Sequence, residues 1–251
     1  KASTAIKIEK PRELAYESGS NYLYVSSYTG KVYKIDMTTR TIAGESEKVG
    51  ANLEGIAVAG NKLYVCNSFN PDYTYNKNVV ELNANTLAKN QDIEVVDDPV
   101  DVINAGSAIF ILSMGIYDDK DKPATVQMLK DGQLSTIGNA TMMAYDTYND
   151  QLYMINAPYG GDKEYKVYNL KNGQTTTFLT NPDIFSPYSL AVNPVNGDVF
   201  ITSSTKNPDT GYADYTADCK LYRYTSAGIL LGTYDCGVNP GTIVCDSYYQ
   251  K

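Results

Sequence analysis

The chemistry available to this chain is limited first by the side chains that it lacks. Its 251 residues include no histidine and no tryptophan, but 23 tyrosines and 29 acidic side chains. Without histidine the chain cannot form Ser-His-Asp or Cys-His catalytic arrangements, bind haem iron through an imidazole, or build most zinc and copper sites. What remains is carboxylate, hydroxyl, phenol and thiol chemistry, which favours binding over catalysis.

Acidic side chains, one arginine and one tyrosine stand at the start of several short apolar segments. These residues are Arg12, Glu13, Glu54, Asp101 and Tyr188. Carboxylates around one opening can hold a divalent cation, whose bound water would hydrolyse a substrate such as a lactone. The alternative, which we prefer, is that they are solvated charges in turns. The acidic run 118–121 lacks the spacing of a calcium loop, and it is expected to be a solvated loop. With these charges taken as solvated, the sequence predicts no metal ligand, no cofactor and no catalytic residue.

Aromatic residues are frequent in four long polar segments, 67–77, 113–122, 156–163 and 203–218. They are Phe69, Tyr73, Tyr75, Tyr117, Tyr159, Tyr212 and Tyr215. Tyrosine combines a large contact surface with a polar tip, which suits a glycan, a corrinoid or a protein partner. Because tyrosine is common throughout this chain and loops tolerate insertions, the same residues are also compatible with a purely structural role.

Four cysteines are present, and none of them forms a C-x-x-C motif, which excludes a zinc ribbon or a redox pair. They are Cys66, Cys219, Cys236 and Cys245. Cys219 and Cys236 flank a hairpin whose turn falls near residues 226–227, and folding about that turn sets Cys219 beside Tyr234. A disulfide between the two strands therefore requires a bulge that corrects the offset. Otherwise the thiols are expected to be buried and free.

The charge balance restricts the partners. With 21 basic and 29 acidic side chains the formal charge is −8, so the chain lacks the basic footprint that nucleic acid or anionic lipid requires. No apolar run of about 18 residues is present, so no membrane span is expected. The chain begins at Lys1 without a signal peptide, and we expect it to be a mature form or a fragment.

A repeated pattern must position these side chains. A triplet of the Leu-Tyr-Val kind begins at Leu23, Leu63, Ile109, Leu152 and Val199. Each triplet follows a small-apolar segment and precedes an alternating segment and then a more polar one. Such β-branched and aromatic runs, bounded by Gly, Asn, Asp and Pro, predict strands. Four antiparallel strands in each repeat of about 45 residues describe a β-propeller blade. A β-sandwich is the alternative, but it has no reason to repeat one pattern five times.

The repeats predict a single all-β propeller domain over residues 1–251. Five full repeats occupy 11–239, and 4–9 and 240–246 are expected to be strands of a closing blade. Because an open ring would leave strand edges unpaired, we expect roughly 80 further residues at the N-terminus and seven blades. A six-bladed ring with an abnormal last blade is the alternative.

Strand direction places the candidate residues together. In a four-stranded blade, the start of the first strand and the connection from the second strand to the third lie at one end, here called the loop end. The tight turns lie at the other, the turn end. All the long aromatic segments are second-to-third connections, and the acidic positions begin first strands near the central channel. We therefore expect any ligand at the loop end, while the turn end should be nearly flat and unsuitable for a ligand.

The repeat Pro-x-x-Leu-Ala…Leu-Tyr-Val…Val-x-x-Ile-Asp/Asn-x-x-Thr resembles the seven-bladed surface-layer and YncE-like propellers, especially the surface or periplasmic lipoproteins of Bacteroidota. The segment 187–200, which begins Pro-Tyr-Ser-Leu-Ala-Val-Asn-Pro, carries most of this resemblance. The group includes cobalamin-capturing lipoproteins of outer-membrane vitamin B12 importers, although no ligand-contacting motif can be matched here. The resemblance implies an extracytoplasmic protein, held at the outer membrane by a lipid anchor in its full-length form.

Three functions follow as hypotheses. The first is a non-catalytic module that captures a small molecule or a protein, as an accessory of an outer-membrane importer. The second is a metal-assisted hydrolase or lactonase that uses Glu54 or Asp101. The third is a scaffold for protein assembly, which predicts a partner footprint at the loop end and no small-molecule pocket.

Overall fold

The structure is a computed structural model that describes residues 5–17 and 19–245. Within these residues, 21 strands form five antiparallel sheets, and four strands of each sheet follow one another in chain order. None of the described residues belongs to a helix, so none lies in a candidate membrane-spanning helix. The five predicted repeats are confirmed as five sheets.

The N-terminal unit, Lys1–Gly138, contains three of the sheets. The first sheet consists of β1 (Pro11–Glu17), β2 (Tyr22–Ser27), β3 (Val32–Asp36) and β4 (Thr41–Glu45). The second consists of β5 (Asn52–Ala59), β6 (Lys62–Phe69), β7 (Tyr75–Asn83) and β8 (Lys89–Glu94). The third consists of β9 (Pro99–Asn104), β10 (Ile109–Ser113), β11 (Thr125–Lys130) and β12 (Gln133–Asn139). The first strands β1, β5 and β9 are neighbours.

The C-terminal unit, Asn139–Lys251, contains the other two sheets. The fourth sheet consists of β13 (Met142–Asp146), β14 (Gln151–Asn156), β15 (Glu164–Asn169) and β16 (Gln174–Leu179). The fifth consists of β17 (Ser186–Val192), β18 (Val199–Lys206), β20 (Cys219–Tyr224) and β21 (Leu230–Cys236), with the short β19 (Ala213–Asp214) paired to β18. The first strands β13 and β17 are neighbours.

The repeated apolar triplets are explained by burial on both faces of a sheet. In β6, Leu63 and Val65 belong to one buried cluster, while Tyr64 and Cys66 belong to another. Since successive side chains of a strand point to opposite faces, each face of this sheet packs against an apolar layer. A second strand that is covered on both faces reads as a continuous apolar run rather than an alternating one.

The Asp or Asn that ends three of the five third strands has a structural role. The Asp36 carboxylate accepts a hydrogen bond from the Thr38 amide at 2.7 Å, and the Asn83 side chain accepts one from the Asn85 amide at 2.9 Å. Asn169 accepts the equivalent bond from Lys171 at 2.9 Å. These Asx turns close the hairpins between third and fourth strands, so the motif specifies the scaffold.

The ends of the chain and the cysteine hairpin differ from the simplest expectation. Residues 5–9 and 240–245 are not strands, because they pair with no neighbouring strand; residues 4 and 246 lie outside the described residues. In the hairpin, a register shift between Arg223 and Tyr224 places Cys219 directly opposite Cys236. The bulge that a disulfide requires is therefore present, and both thiols are free in the structure.

Candidate functional site

Strand register brings the starts of the first strands to the loop end of the N-terminal unit. Pro11 pairs with Ser27, Asn52 with Phe69, and Pro99 with Ser113, so β1, β5 and β9 begin where the second strands end. Arg12, Glu54 and Asp101 follow directly in these strands, and thus three of the predicted site residues lie at one end of one unit.

Glu54 is bound on both of its carboxylate oxygens. Arg12 donates to Glu54 Oε2 from Nη2 at 2.8 Å and from Nε at 2.9 Å, while the Tyr28 hydroxyl donates to Oε1. The Arg12 guanidinium also stacks over the Tyr28 ring, with its central carbon 4.4 Å from the ring centroid. Burial and the bond to Glu54 raise the pKa of Tyr28 to about 12. At neutral pH Tyr28 therefore remains a donor, and both Glu54 oxygens are engaged.

Asp98 is the least satisfied carboxylate of this region. Its residue surface is only 9% exposed, and its Oδ1 has no hydrogen-bond partner among the described residues. Its backbone has a left-handed φ of 58°, held by a bond from its amide to the Asn76 carbonyl and by one from the Met114 amide to its own carbonyl, both 2.8 Å. Burial, and then the charge of Glu54, raise its pKa to about 6. A buried carboxylate oxygen without a partner is uncommon in folded proteins.

Asp101 lies on β9 and opposite the backbone of β5. A Cβ on Gly55 would stand 2.7 Å from the Asp101 Cα and 2.8 Å from the Val100 carbonyl oxygen, so the two strands touch where Gly55 has no side chain. Asp101 keeps some solvent exposure, but protein atoms crowd it, and this desolvation, together with Glu13, raises its pKa to about 6. The side chain is therefore partly buried.

Three carboxylates act electrostatically on one thiol but do not form a metal site. Burial raises the pKa of the fully buried Cys66 thiol well above its usual value, and Asp101, Glu54 and Asp98 raise it further. Even so, no three acidic or cysteine side chains in the described part of the chain are placed to hold a metal ion. One physical reason for this lack of a metal site is that Arg12 and Tyr28 already occupy both carboxylate oxygens of Glu54. The metal-assisted hydrolase hypothesis thus lacks the convergence that it requires.

The aromatic residues of the N-terminal unit adjoin the acidic ones. The Phe69 and Tyr75 rings lie 5.3 Å apart, and the Tyr75 hydroxyl accepts a hydrogen bond from the Tyr117 amide at 3.4 Å. Tyr73 and Tyr117 are 78% and 73% exposed. The Asn76 carbonyl, one residue after Tyr75, accepts a hydrogen bond from the Asp98 amide. The tyrosine-rich connection and the buried carboxylate are therefore adjacent.

The C-terminal unit has a different loop end. Tyr159 (83% exposed) lies between β14 and β15, and Tyr212 and Tyr215 flank β19, with Tyr188 also exposed on β17. The Phe185 ring has the ammonium groups of Lys163 and Lys206 at 5.8 and 6.0 Å from its centroid. Beside them, Lys163 and Tyr165 line a shallow cavity of about 510 Å³. The Tyr165 hydroxyl is buried and has no hydrogen-bond partner among the described residues.

Two expectations from the sequence need correction. The turn end is not uniformly flat, because a shallow cavity of about 410 Å³ lies there between the turns around Ala59, Ser107 and Gly132. In addition, sequence reasoning missed Tyr28 and Asp98. Tyr28 belongs to the one short second-to-third connection, whose length gives no sign of a site. Asp98 stands one residue before β9, and the pattern of an acid directly before Pro99 is a signal that would have identified it.

Comparisons with known proteins identify the fold. No protein-family model matches the chain, and no curated protein matches its sequence. Among solved structures, the chain is similar to hydrazine synthase of Kuenenia stuttgartiensis, with 14% identity, a TM-score of 0.67, and coverage of 94% of this chain and 69% of that one. It is similar to a gluconolactonase of Xanthomonas campestris, with 17% identity, a TM-score of 0.56, and coverage of 94% and 78%. It is also similar to a putative TolB of Agrobacterium tumefaciens, with 10% identity, a TM-score of 0.58, and coverage of 92% and 82%. At these identities the likeness establishes the fold alone, which is the β-propeller.

Proposed function

We propose that the chain is a non-catalytic, extracytoplasmic propeller that binds a ligand or a protein partner at the loop ends of its sheets. The observation that carries this proposal is the exposure of tyrosines in the connections from second to third strands. Tyr73, Tyr117 and Tyr159 expose most of their surfaces although each ring is largely apolar. Rings of this kind act as anchors when a partner covers them, and their hydroxyls supply hydrogen bonds.

The arrangement of polar groups supports binding rather than turnover. The chain has no histidine, Glu54 is engaged by Arg12 and Tyr28, and Cys66 is a buried thiol whose raised pKa keeps it unreactive. The extracytoplasmic setting, the lipid anchor and the role as an importer accessory rest on the resemblance of the repeats to Bacteroidota lipoproteins. A corrinoid, a glycan and a peptide are the ligand classes to test.

A thermal-shift screen with cobalamins, glycans and peptides tests this proposal, because a ligand that binds only the native state raises its stability. For a ligand so found, replacing Tyr73 and Tyr117 together by Ala should weaken binding at least about tenfold, as loss of an aromatic anchor does. The matched control replaces Tyr16 and Tyr148, which are similarly exposed but lie toward the turn ends of their sheets. Equal losses in both double variants would contradict a loop-end site, and turnover of a hit would contradict a non-catalytic role.

A further inference from the structure

The hairpin formed by β20 and β21 places two thiols directly opposite each other. Cys219 begins β20, Cys236 ends β21, and the register pairs the two residues. The next pair along the strands agrees with this register, because the Lys220 ammonium group donates a hydrogen bond to the Asp235 carboxylate across the hairpin. Directly opposite residues of an antiparallel pair point to the same face of the sheet, with Cβ atoms about 4.5–5.5 Å apart. The two thiols are therefore neighbours on one face.

This arrangement has the spacing that a disulfide bond requires. A disulfide joins residues whose Cα atoms lie about 4.4–6.8 Å apart, and opposite residues of an antiparallel pair have Cα atoms about 4.5 or 5.5 Å apart. The register shift between Arg223 and Tyr224 is necessary for it. Without that shift, the pairing of Tyr224 with Leu230 would continue along the strands and set Asp235 opposite Cys219.

The two thiols differ in their access to solvent. Cys219 is fully buried, whereas Cys236 keeps part of its surface exposed. An oxidant in solution therefore reaches Cys236 first, and Cys219 needs only to react with its neighbour within the protein. The other two cysteines are less well placed. Cys66 is fully buried in the N-terminal unit, and Cys245 lies in a segment that pairs with no strand.

We propose that Cys219 and Cys236 form a disulfide by exchange with a small-molecule disulfide such as oxidised glutathione. The Cys236 thiol loses its proton, and its thiolate attacks one sulfur of the oxidant, which forms a mixed disulfide and releases one glutathione thiolate. The Cys219 thiolate then attacks Cys236 Sγ, forms the bond within the hairpin and releases the second glutathione thiolate. The two protons pass to the released thiolates, so the protein loses two electrons and the oxidant gains them.

The bond would fix the loop end of the fifth sheet. Among the described residues β21 pairs with β20 alone, and it is therefore an edge strand. The connection 203–218 leads into β20, and the segment 237–245 follows β21. These two segments already touch, because Asn239 Nδ2 donates a hydrogen bond to the Tyr215 carbonyl at 3.4 Å. A covalent bond at their common base would hold both in place, whether or not the tyrosines of this connection bind a ligand.

The test uses the whole chain, reduced and then incubated with oxidised glutathione at about pH 8, where thiolate forms more readily. The remaining thiols are alkylated, and the protein is digested with trypsin for mass spectrometry. We expect residues 207–220 to be linked to residues 224–251. Because the second peptide also contains Cys245, the matched control is Cys245→Ser, which should give the same link. Burial and the neighbouring Cys219 raise the pKa of Cys236, so the link should form faster as the pH rises.

Two further variants test the order of the steps. Cys219→Ser should stop at a glutathione adduct on Cys236, and Cys219→Ala should do the same if the serine disturbs the buried site. Cys236→Ser should leave Cys219 unmodified in the native protein. The inference is overturned if Cys245→Ser forms no linked peptide, if Cys236→Ser still links the two peptides, or if the wild-type protein accumulates the glutathione adduct without forming the link.

Thermal unfolding tests whether the native register accommodates the bond. Oxidation of Cys245→Ser should raise its apparent Tm by at least about 4 °C, because a disulfide that closes a loop of about 15 residues restricts the unfolded chain. Reduction with dithiothreitol should reverse the rise, and Cys236→Ser treated in the same way should show none. An unchanged or lower Tm in the linked protein would mean that the bond strains the hairpin, and it would overturn the inference.

Discussion

The loop ends of the two units share a strand topology but differ in the chemistry of the buried groups that lack a partner among the described residues. In the N-terminal unit one such group is the Asp98 carboxylate, whose pKa is raised by burial and by the charge of Glu54, which Arg12 engages. In the C-terminal unit two lysines lie near Phe185, and one such group is the Tyr165 phenol, a donor rather than a charged acceptor.

The difference shows that the repeat specifies a scaffold and leaves its ends free to vary. The features that the repeats share are the apolar triplets and, in three of the five, the Asx turns, and these build sheets. The residues that differ lie in connections and at the first positions of strands, where side chains face solvent or a recess rather than the core. Function in such proteins belongs to the sites grafted on the fold.

The largest expected effect is on the free energy of unfolding, through the buried Asp98 carboxylate. The folded-state pKa of Asp98, about 6, lies above that of an unfolded aspartate, so folding favours the protonated form. The stability that the protonated Asp98 contributes is fully present below about pH 4 and is lost as the pH rises through about 6. Above that pH the ionised, unpaired carboxylate destabilises the fold. Asp98→Asn should therefore raise the free energy of unfolding at neutral pH by up to about 3 kcal/mol, with no difference near pH 4.

Urea unfolding of both proteins across this pH range measures that difference. Asp162→Asn, at an exposed aspartate in the connection between β14 and β15, is the control and should show no such pH dependence. If Asp98→Asn is less stable than the wild type at neutral pH, Asp98 has a stabilising partner and the contrast between the two ends is smaller than described.

A smaller effect is expected from filling the contact between β5 and β9. Gly55→Ala would place its Cβ 2.7 Å from the Asp101 Cα, so one strand must move, which costs about 1–3 kcal/mol. Gly138→Ala in β12, where a Cβ would meet nothing within 4 Å, is the matched control. Equal unfolding midpoints for the two variants in urea would show that the strands are not in tight contact.

The smallest effect is expected at the two lysines near Phe185. Lys163 and Lys206 are exposed and lie near the outer limit of a favourable cation–π distance from Phe185. Replacing both with Gln should lower the free energy of unfolding by about 0.5 kcal/mol. Replacing both with Arg, which also stacks on aromatic rings, should keep the wild-type value. A loss above about 2 kcal/mol in the Gln variant would mean that this end is part of the structural core rather than an open surface.

The fold was largely predictable, because burial on both faces of a sheet leaves a strong periodic signal. The triplets at Leu63 and Leu152 identified second strands, and the five repeats correspond to five sheets. The site was predicted only in part. Arg12, Glu54 and Asp101 were found from their positions at strand starts, but their contacts depend on bulges that shift the register near those starts. Tyr28 and Asp98 were missed because a short connection and a residue outside a strand have no periodicity.

The sequence by itself determined the strands, the repeat, the absence of imidazole chemistry and the placement of aromatic residues in long connections. These properties follow from local composition and from a period of two along each strand. The tertiary structure alone decided that Arg12 and Tyr28 engage Glu54, that Asp98 is buried without a partner, and that Cys219 faces Cys236. Each of these contacts depends on residues far apart in the chain, on the close approach of β5 to β9 at Gly55, or on a one-residue bulge. Such contacts are set by how strands pair and pack, rather than by which residues the strands contain.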